Sequence, residues 1–412
     1  MNVRDYAVVT SGYWAFTITD GALRMLVLLY FHDLGYSPVA LAFLFLLYEA
    51  MGVATNLVGG WVGARTGLNR TLVAGLALQA TALVALTLQS PSWAQWESVA
   101  FVMGLQALSG VAKDLTKMSS KSAVKFVAGD AEGALFRMVA VLTGSKNALK
   151  GVGFFVGGAL LSWVGYDAAL LCLAGLVGVS LVVVLVLLGD DIGRSTKKAP
   201  LRSILSKSEA INRLSAARLF LFASRDIWFV VALPVFLDDT LGWSDEWIGA
   251  FLALWVIGYG IVQSFAPRVL RGRGGRAADE ILAARRWSLA LAVVAAVIAG
   301  AVAIRLATTV AVAGGLVVFG VVFAVNSSLH SYLILAYADD DDVSVDVGFY
   351  YSANATGRLV GTLLSGLLYL WGGLPVALVG SATALAITWL LTLRLPALDA
   401  DARRGAPAPA TP

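Results

Sequence analysis

Twelve mostly apolar stretches of about 20 residues or more follow one another along this chain. They run over 8–32, 38–62, 70–90, 97–118, 135–164, 167–189, 213–238, 246–268, 286–304, 309–336, 346–370 and 373–395. About 20 helical residues cross the hydrocarbon core of a bilayer. Inside lipid only helices and closed barrels satisfy the backbone, and these runs are too long and too evenly apolar for barrel strands. The chain is therefore read as an all-α polytopic membrane protein with twelve transmembrane helices. Charged residues make up only 14% of it, against about 25% in soluble domains, so a large soluble domain is excluded. Its start runs into the first stretch without a signal-cleavage pattern. A single cysteine, Cys172, excludes an internal disulfide and a cysteine metal centre. His32 and His330 stand far apart and no HExxH spacing occurs. No metal, cofactor or catalytic constellation is expected, and the chain is read as a non-enzyme.

Lys and Arg set the expected orientation. They gather in the loops after the second, fourth, sixth and eighth stretches and in the tail: Arg65 and Arg70; Lys121 and Lys125; Arg194, Lys197, Lys198, Arg202 and Lys207; Arg271, Arg273, Arg276 and Arg285; Arg403 and Arg404. The other loops carry almost none, Arg305 excepted. Both ends are therefore expected in the cytoplasm. The acidic run ADDDDVSVD on the same side departs from the pattern, but the rule counts basic residues only.

The chain also repeats itself. FHDLGYSPVALAFLF parallels FLDDTLGWSDEWIGAFLA, and NALKGVGFFVGGALLSWVG parallels NATGRLVGTLLSGLLYLWG. Phe31 and Phe236 stand 205 residues apart, Asn147 and Asn354 stand 207, and Lys150 and Arg358 stand 208. Near-equal offsets at distant places indicate a duplicated six-helix unit. The expected organisation is an N-terminal bundle over 1–189, a cytoplasmic linker over 190–212, a C-terminal bundle over 213–395 and a disordered Pro/Ala-rich tail over 396–412.

Charges inside the stretches mark the candidate site. A charge at mid-bilayer costs at least about 2.5–3.5 kcal/mol, so such residues are functional candidates by default. At a rise of about 1.5 Å per residue, Arg24, Lys146, Lys150, Arg225 and Arg358 lie deep, beside the acidic Asp20, Glu49 and Asp226. Five cations against three carboxylates suit a substrate with two or more negative charges. Asn147 and Asn354, at matching places in the repeat, are candidate donors to an oxyanion or bonds between helices. Asp20, Glu49 and Asp226 are candidate proton carriers; Glu49 has no basic neighbour on its own helix. Asp20–Arg24 and Asp226 with Arg358 or Lys150 are alternatively read as pairs that fix packing. Lys113 and Lys117, with Lys121 and Lys125, repeat every fourth residue and suit either a positive-inside flank or a cytoplasmic mouth that attracts anions. Arg218 is expected to snorkel toward the interface. Trp14, Trp228 and Tyr351 are candidate cavity-lining residues.

Parallel six-helix repeats about a central site are the architecture of major facilitator transporters. GGWVGARTGLNR partly resembles that superfamily's signature between its second and third helices: Gly60, Arg65 and Gly67 fit, whereas Ala64, Leu68 and Asn69 depart. YWAFTITDGALRMLVLLYFHDLGYSP, LSGVAKDLTKMSSKSAVK, VLTGSKNALKGVGFF, SAARLFLFASRDIWFVVALPVFL and FLALWVIGYGIVQSFAPRV resemble the organoarsenical efflux permeases of the superfamily, the ArsJ family. That resemblance implies export of 1-arseno-3-phosphoglycerate and arsenate resistance. The compound is supplied by a glyceraldehyde-3-phosphate dehydrogenase that uses arsenate in place of phosphate. The expected mechanism is alternating access, proton-coupled, with uniport driven by the membrane potential as the other option. An organophosphate/phosphate exchanger, suggested by Arg24 and Arg225, and a non-transporting receptor are the alternatives. The expected partners are the anionic substrate, the bilayer and the dehydrogenase; no nucleic acid is expected, and the chain is expected as a monomer.

Overall fold

A computed structural model describes residues 3–66, 68–128, 134–188, 208–271, 277–306, 308–337 and 343–396. The regular elements among them are all helical: α1 (Val3–Asp33), α2 (Pro38–Thr66), α3 (Leu68–Leu86), α4 (Gln95–Ala128), α5 (Ala134–Val164), α6 (Tyr166–Leu187), α7 (Glu209–Phe229), α8 (Ala232–Asp239), α9 (Asp245–Arg271), α10 (Ala277–Ala303), α11 (Thr308–Tyr337) and α12 (Val343–Leu393).

Twelve helices are not one-to-one with twelve spans. The stretch Glu209–Asp239 is a single span divided at Val230–Val231 into α7 and α8. α12 is the reverse case, two spans in one 51-residue element. It breaks at Gly372 and Gly373, the latter with φ 67°, and turns back at Pro375, where a missing N–H costs least near a new helix start. The break falls at the boundary expected between 370 and 373. α4 is the least apolar crossing, because Lys113, Asp114 and Lys117 lie in it; it is shielded from lipid by α1, α2 and α3.

Burial separates inner from outer helices. Of the apolar windows of α1 and of α7–α8, 83% is enclosed, against 28% for α6, whose Val182, Leu185 and Val186 point outward. Cys172 lies on that outward surface. Trp228, a candidate for the cavity wall, is instead fully buried in an aromatic cluster with Phe229, Trp255 and Phe319.

The duplication is visible in the packing. In the first half α1 packs on α5; in the second, α7 packs on the first span of α12. A Cβ on Gly153 would stand 2.3 Å from the Ile18 carbonyl oxygen, and one on Gly361 would stand 2.7 Å from that of Ala223. These two contacts are equivalent: Gly153 and Gly361 are 208 residues apart and Ile18 and Ala223 are 205, the offsets read from the sequence. The turn after the first span of each half also repeats, with Gly35 at φ 81° and Gly242 at φ 65°, a backbone conformation that glycine adopts without strain. The halves meet along α2–α12 and α5–α9, pairs that a two-fold axis along the membrane normal exchanges. Most of the expected linker (190–207) and tail (397–412) lies outside the described residues.

Candidate functional site

The site begins on α1, where Asp20 and Arg24 lie one turn apart. They do not pair with each other. Arg24 Nη2 reaches across to Glu49 Oε1 on α2, at 2.8 Å. The same Glu49 oxygen accepts from Arg358 Nη2 on α12 at 2.6 Å, an ion pair that joins the two halves. Arg358 Nε continues to Asp226 Oδ2 at 3.3 Å, and Asp226 Oδ1 accepts from Arg225 Nε at 2.6 Å. The result is a continuous chain, Arg24–Glu49–Arg358–Asp226–Arg225, through the middle of the molecule. Beside it Lys150 Nζ lies 3.3 Å from Asp20 Oδ2, and Tyr48 donates its hydroxyl to Asp20 Oδ1 at 2.5 Å.

Two of these pairs play matching parts in the two halves. Lys150 to Asp20 and Arg358 to Asp226 each join the fifth span of a half to its first, both at 3.3 Å. The Asp20 equivalent in the second half is Arg225, 205 residues on, so the two halves present opposite signs at that position.

Lys113 is the correction. It is not at a mouth on the membrane face; its Nζ lies 4.0 Å from the Tyr48 ring centre, beside the Glu49 and Asp20 network. A Cβ on Gly52 would be 3.4 Å from that Nζ, so the glycine leaves the ammonium its room. Among the described residues no carboxylate stands within ion-pair distance of Lys113. The enclosed set is thus Arg24, Lys113, Lys150, Arg225 and Arg358 against Asp20, Glu49 and Asp226, an excess of two positive charges. Glu49 and Asp226 are each 1% exposed and each shared by two arginines. The cleft between Asp20, Arg24, Phe45, Tyr48 and Gln106 has no room for a water molecule. Small-molecule pockets enclose roughly 300–1,000 Å³, so the centre is closed in this state.

Two like-folded bundles, joined at two exchanged pairs and enclosing charges at their shared axis, define an architecture that sequence comparison also identifies. The model of the Major Facilitator Superfamily matches residues 9–339. The chain belongs to the major facilitator superfamily. Its fold is similar to a POT family transporter solved with a thioalcohol-conjugated peptide (TM-score 0.73, 11% identity, covering 95% of this chain and 96% of that one). It is also similar to a bacterial homologue of the iron transporter ferroportin in an inward-facing state (TM-score 0.69, 18% identity, covering 96% and 99%). At these identities the likeness is one of fold. No curated protein matches the chain in sequence.

The remaining candidates of this major facilitator protein divide by place. Lys117 is held by Asp114 Oδ1 at 2.6 Å and by Asn56 Oδ1 at 3.1 Å, and Asp114 also accepts from Thr55. Its charge is matched locally, which fits a flank better than a mouth. Asn147 Nδ2 points across the α5–α9 joint toward Gln263 Oε1 at 3.5 Å, and Lys146 is half-buried beside it. Asn354 Oδ1 accepts from Arg218 Nε at 3.0 Å, so it serves an arginine here. Arg218 does not snorkel: it is 4% exposed, deep between α7, α11 and α12. Trp14 is partly exposed and donates to Ser145, and Tyr351 is also partly exposed. Lys121, Lys125, the 59–68 part of the signature loop and the acidic run at 338–342 lie outside the residues whose side chains are described.

Two participants, Tyr48 and His32, escaped the sequence reading, and a third, Lys113, was placed elsewhere. Tyr48 directly precedes Glu49, and its adjacency to a buried carboxylate was the available signal. Lys113 was grouped with the basic flank because its spacing from Lys117 fits one helix face. His32 meets Asp238 Oδ2 at 3.0 Å and Asp239 Oδ1 at 3.3 Å across the halves, at the face opposite the chain ends. Only the repeat between their two loops hinted at that contact.

Proposed function

We propose that this major facilitator protein exports an organic anion carrying at least two negative charges, 1-arseno-3-phosphoglycerate, by alternating access, and so confers resistance to arsenate. One observation carries the anion reading: five enclosed cations stand with three carboxylates, and Lys113 makes no ion pair, its neighbour Asp114 being held by Lys117. Arginine offers a planar fork to phosphate and arsenate oxygens and lysine a point charge. Arg358, Arg24, Lys113, Lys150 and Arg225 are the proposed ligands. The identity of the anion rests on the resemblance of the quoted segments to the organoarsenical permeases. A glyceraldehyde-3-phosphate dehydrogenase would supply it. The chain ends lie in the cytoplasm of the bacterial inner membrane under this reading.

The geometry bears on the driving force. Protonating Glu49 would release Arg24 and Arg358 to the substrate, so proton and anion would bind together. Antiport needs the opposite, a proton and a substrate that exclude one another. The membrane potential, inside negative, already favours expelling an anion by about 2.3 kcal/mol per charge per 100 mV. Potential-driven export is therefore preferred to proton antiport through Asp20, Glu49 or Asp226.

Everted membrane vesicles test this, with uptake of the arsenylated sugar acid followed under separately imposed potential and pH gradients. Uptake is expected to rise with an interior-positive potential, to ignore the pH gradient, and to fall at least about tenfold in Arg358→Gln, the loss expected for a charged hydrogen-bond donor. Dissipation of the pH gradient abolishing uptake would restore proton antiport. Phosphate inside the vesicles accelerating uptake would indicate the exchanger. Undiminished uptake by Arg358→Gln would remove the site.

A further inference from the structure

One buried charge takes no part in the central chain. Arg218 on α7 lies two turns from Arg225 toward the chain-end face, 4% exposed. Every partner it has is neutral: Asn354 Oδ1 at 3.0 Å, the Ser327 carbonyl oxygen at 3.0 Å and Ser327 Oγ at 3.1 Å. Phe222 and Tyr350 cover its faces, with ring centres 4.1 and 5.1 Å away. Among the described residues no carboxylate pairs with it. A buried cation without a counter-charge is costly, and proteins retain one where something negative arrives.

A second, independent feature stands at the same place. His330, one turn beyond Ser327 on α11, is fully buried, with neither ring nitrogen bonded. Arg218 is the charged neighbour that acts on it. Ser215 Oγ, one turn before Arg218 on α7, is also buried without a partner. Buried polar groups are ordinarily hydrogen-bonded, and each exception asks for an explanation. On neighbouring turns of α7 and α11 there thus stand a guanidinium with only neutral partners, and an imidazole and a hydroxyl with no hydrogen bond.

We propose that Arg218, His330 and Ser215, with Asn354, form a second oxyanion station one level nearer the chain-end face than the central chain. It receives the phosphate-like group of the substrate when that face opens. The station rests on the reading of the chain as an anion carrier. Its position suits a relay: Asn354 lies one turn from Arg358 on α12, and Arg218 two turns from Arg225 on α7. An anion leaving Arg218 therefore meets Arg358 and Arg225 along the same two helices. In the closed state Asn354 and Ser327 occupy the guanidinium as temporary acceptors, as Glu49 and Asp226 occupy the central arginines.

Calorimetric titration of the full chain in nanodiscs with inorganic phosphate separates the two sites. The wild type is expected to bind at two sites, and Arg358→Gln at one. In that background Arg218→Gln and His330→Phe should each weaken the remaining site by at least about tenfold, while Arg218→Lys retains part of it. If Arg218→Gln does not fold, His330→Phe decides. Loss of all binding in Arg358→Gln, or residual binding that both substitutions leave unchanged, would overturn the second station and leave the central site standing. A wild type that binds neither phosphate nor 3-phosphoglycerate would overturn the station and the anion-carrier reading together.

Discussion

Glu49 holds Arg24 and Arg358 with one oxygen, at 2.8 and 2.6 Å, and so occupies the position that an oxyanion would take between the same arginines. Protein carboxylate and substrate then compete for the same donors. Removing one partner of a buried pair costs about 3–5 kcal/mol, because the other charge is left unpaired. Glu49→Gln is therefore expected to lower thermal stability without ligand and to enlarge the stabilisation produced by a bound phosphate or 3-phosphoglycerate. Thermal unfolding in detergent, with and without the anion, measures both. A variant as stable as the wild type, with no larger ligand shift, would contradict the competition. The sequence showed most of the buried charges, because depth along an apolar stretch is a one-dimensional quantity; it missed Lys113 and Arg218, which lie nearer the ends of their spans. It did not show who pairs with whom. Asp20 and Arg24 are neighbours on a helix, yet Asp20 is taken by Lys150 and Tyr48 and Arg24 by Glu49. Partner choice depends on how α1, α2, α5 and α12 are rotated against one another, and that is a property of packing.

At the scale of helices, backbone proximity sets where those charges can meet. α1 and α5 touch at Ile18 and Gly153, three residues from Lys150; α7 and α12 touch at Ala223 and Gly361, three residues from Asp226 and Arg358. Any side chain at these glycines pushes the helices apart and lengthens the ion pair beside them. Gly361→Ala is expected to destabilise the protein by about 1–3 kcal/mol, the usual cost of overpacking. Gly104→Ala, where an added Cβ meets nothing within 4 Å, should be neutral or stabilising by up to about 1 kcal/mol. Thermal melts of the two variants side by side check the contrast; equal melting points would refute it. This level of the fold was largely readable beforehand. Length and uniform hydropathy marked the spans, and the offsets of 205 and 208 marked the duplication. The break at Val230–Val231 was readable but was not read: Pro234 has no N–H for the Val230 carbonyl four residues earlier, and its ring crowds that turn.

For the whole molecule, the joints between the bundles are what rocking must open. At the face opposite the chain ends, His32 pairs with Asp238 and Asp239, Ser162 donates to Glu246, and Gly158 and Gly366 lie against the Asp245 and Pro38 carbonyls. Asn147 to Gln263 and Ser352 to the Val53 carbonyl also cross between the halves, each at 3.5 Å. The set at the face opposite the chain ends combines side-chain bridges with close backbone contact. The position of His32 makes that joint adjustable, since it bridges the bundles without contributing to either core. His32→Ala combined with Asp238→Asn removes the imidazole–carboxylate bridge and should shift the population toward a state open at the face opposite the chain ends. Spin labels at Leu88 and Leu306, both exposed there and on different bundles, report the change directly. Electron–electron resonance distances are expected to lengthen in the double variant relative to the wild type. An unaltered distribution would mean that the close contacts at Gly158 and Gly366 hold this face by themselves, and that the imidazole–carboxylate bridge does not set which side opens.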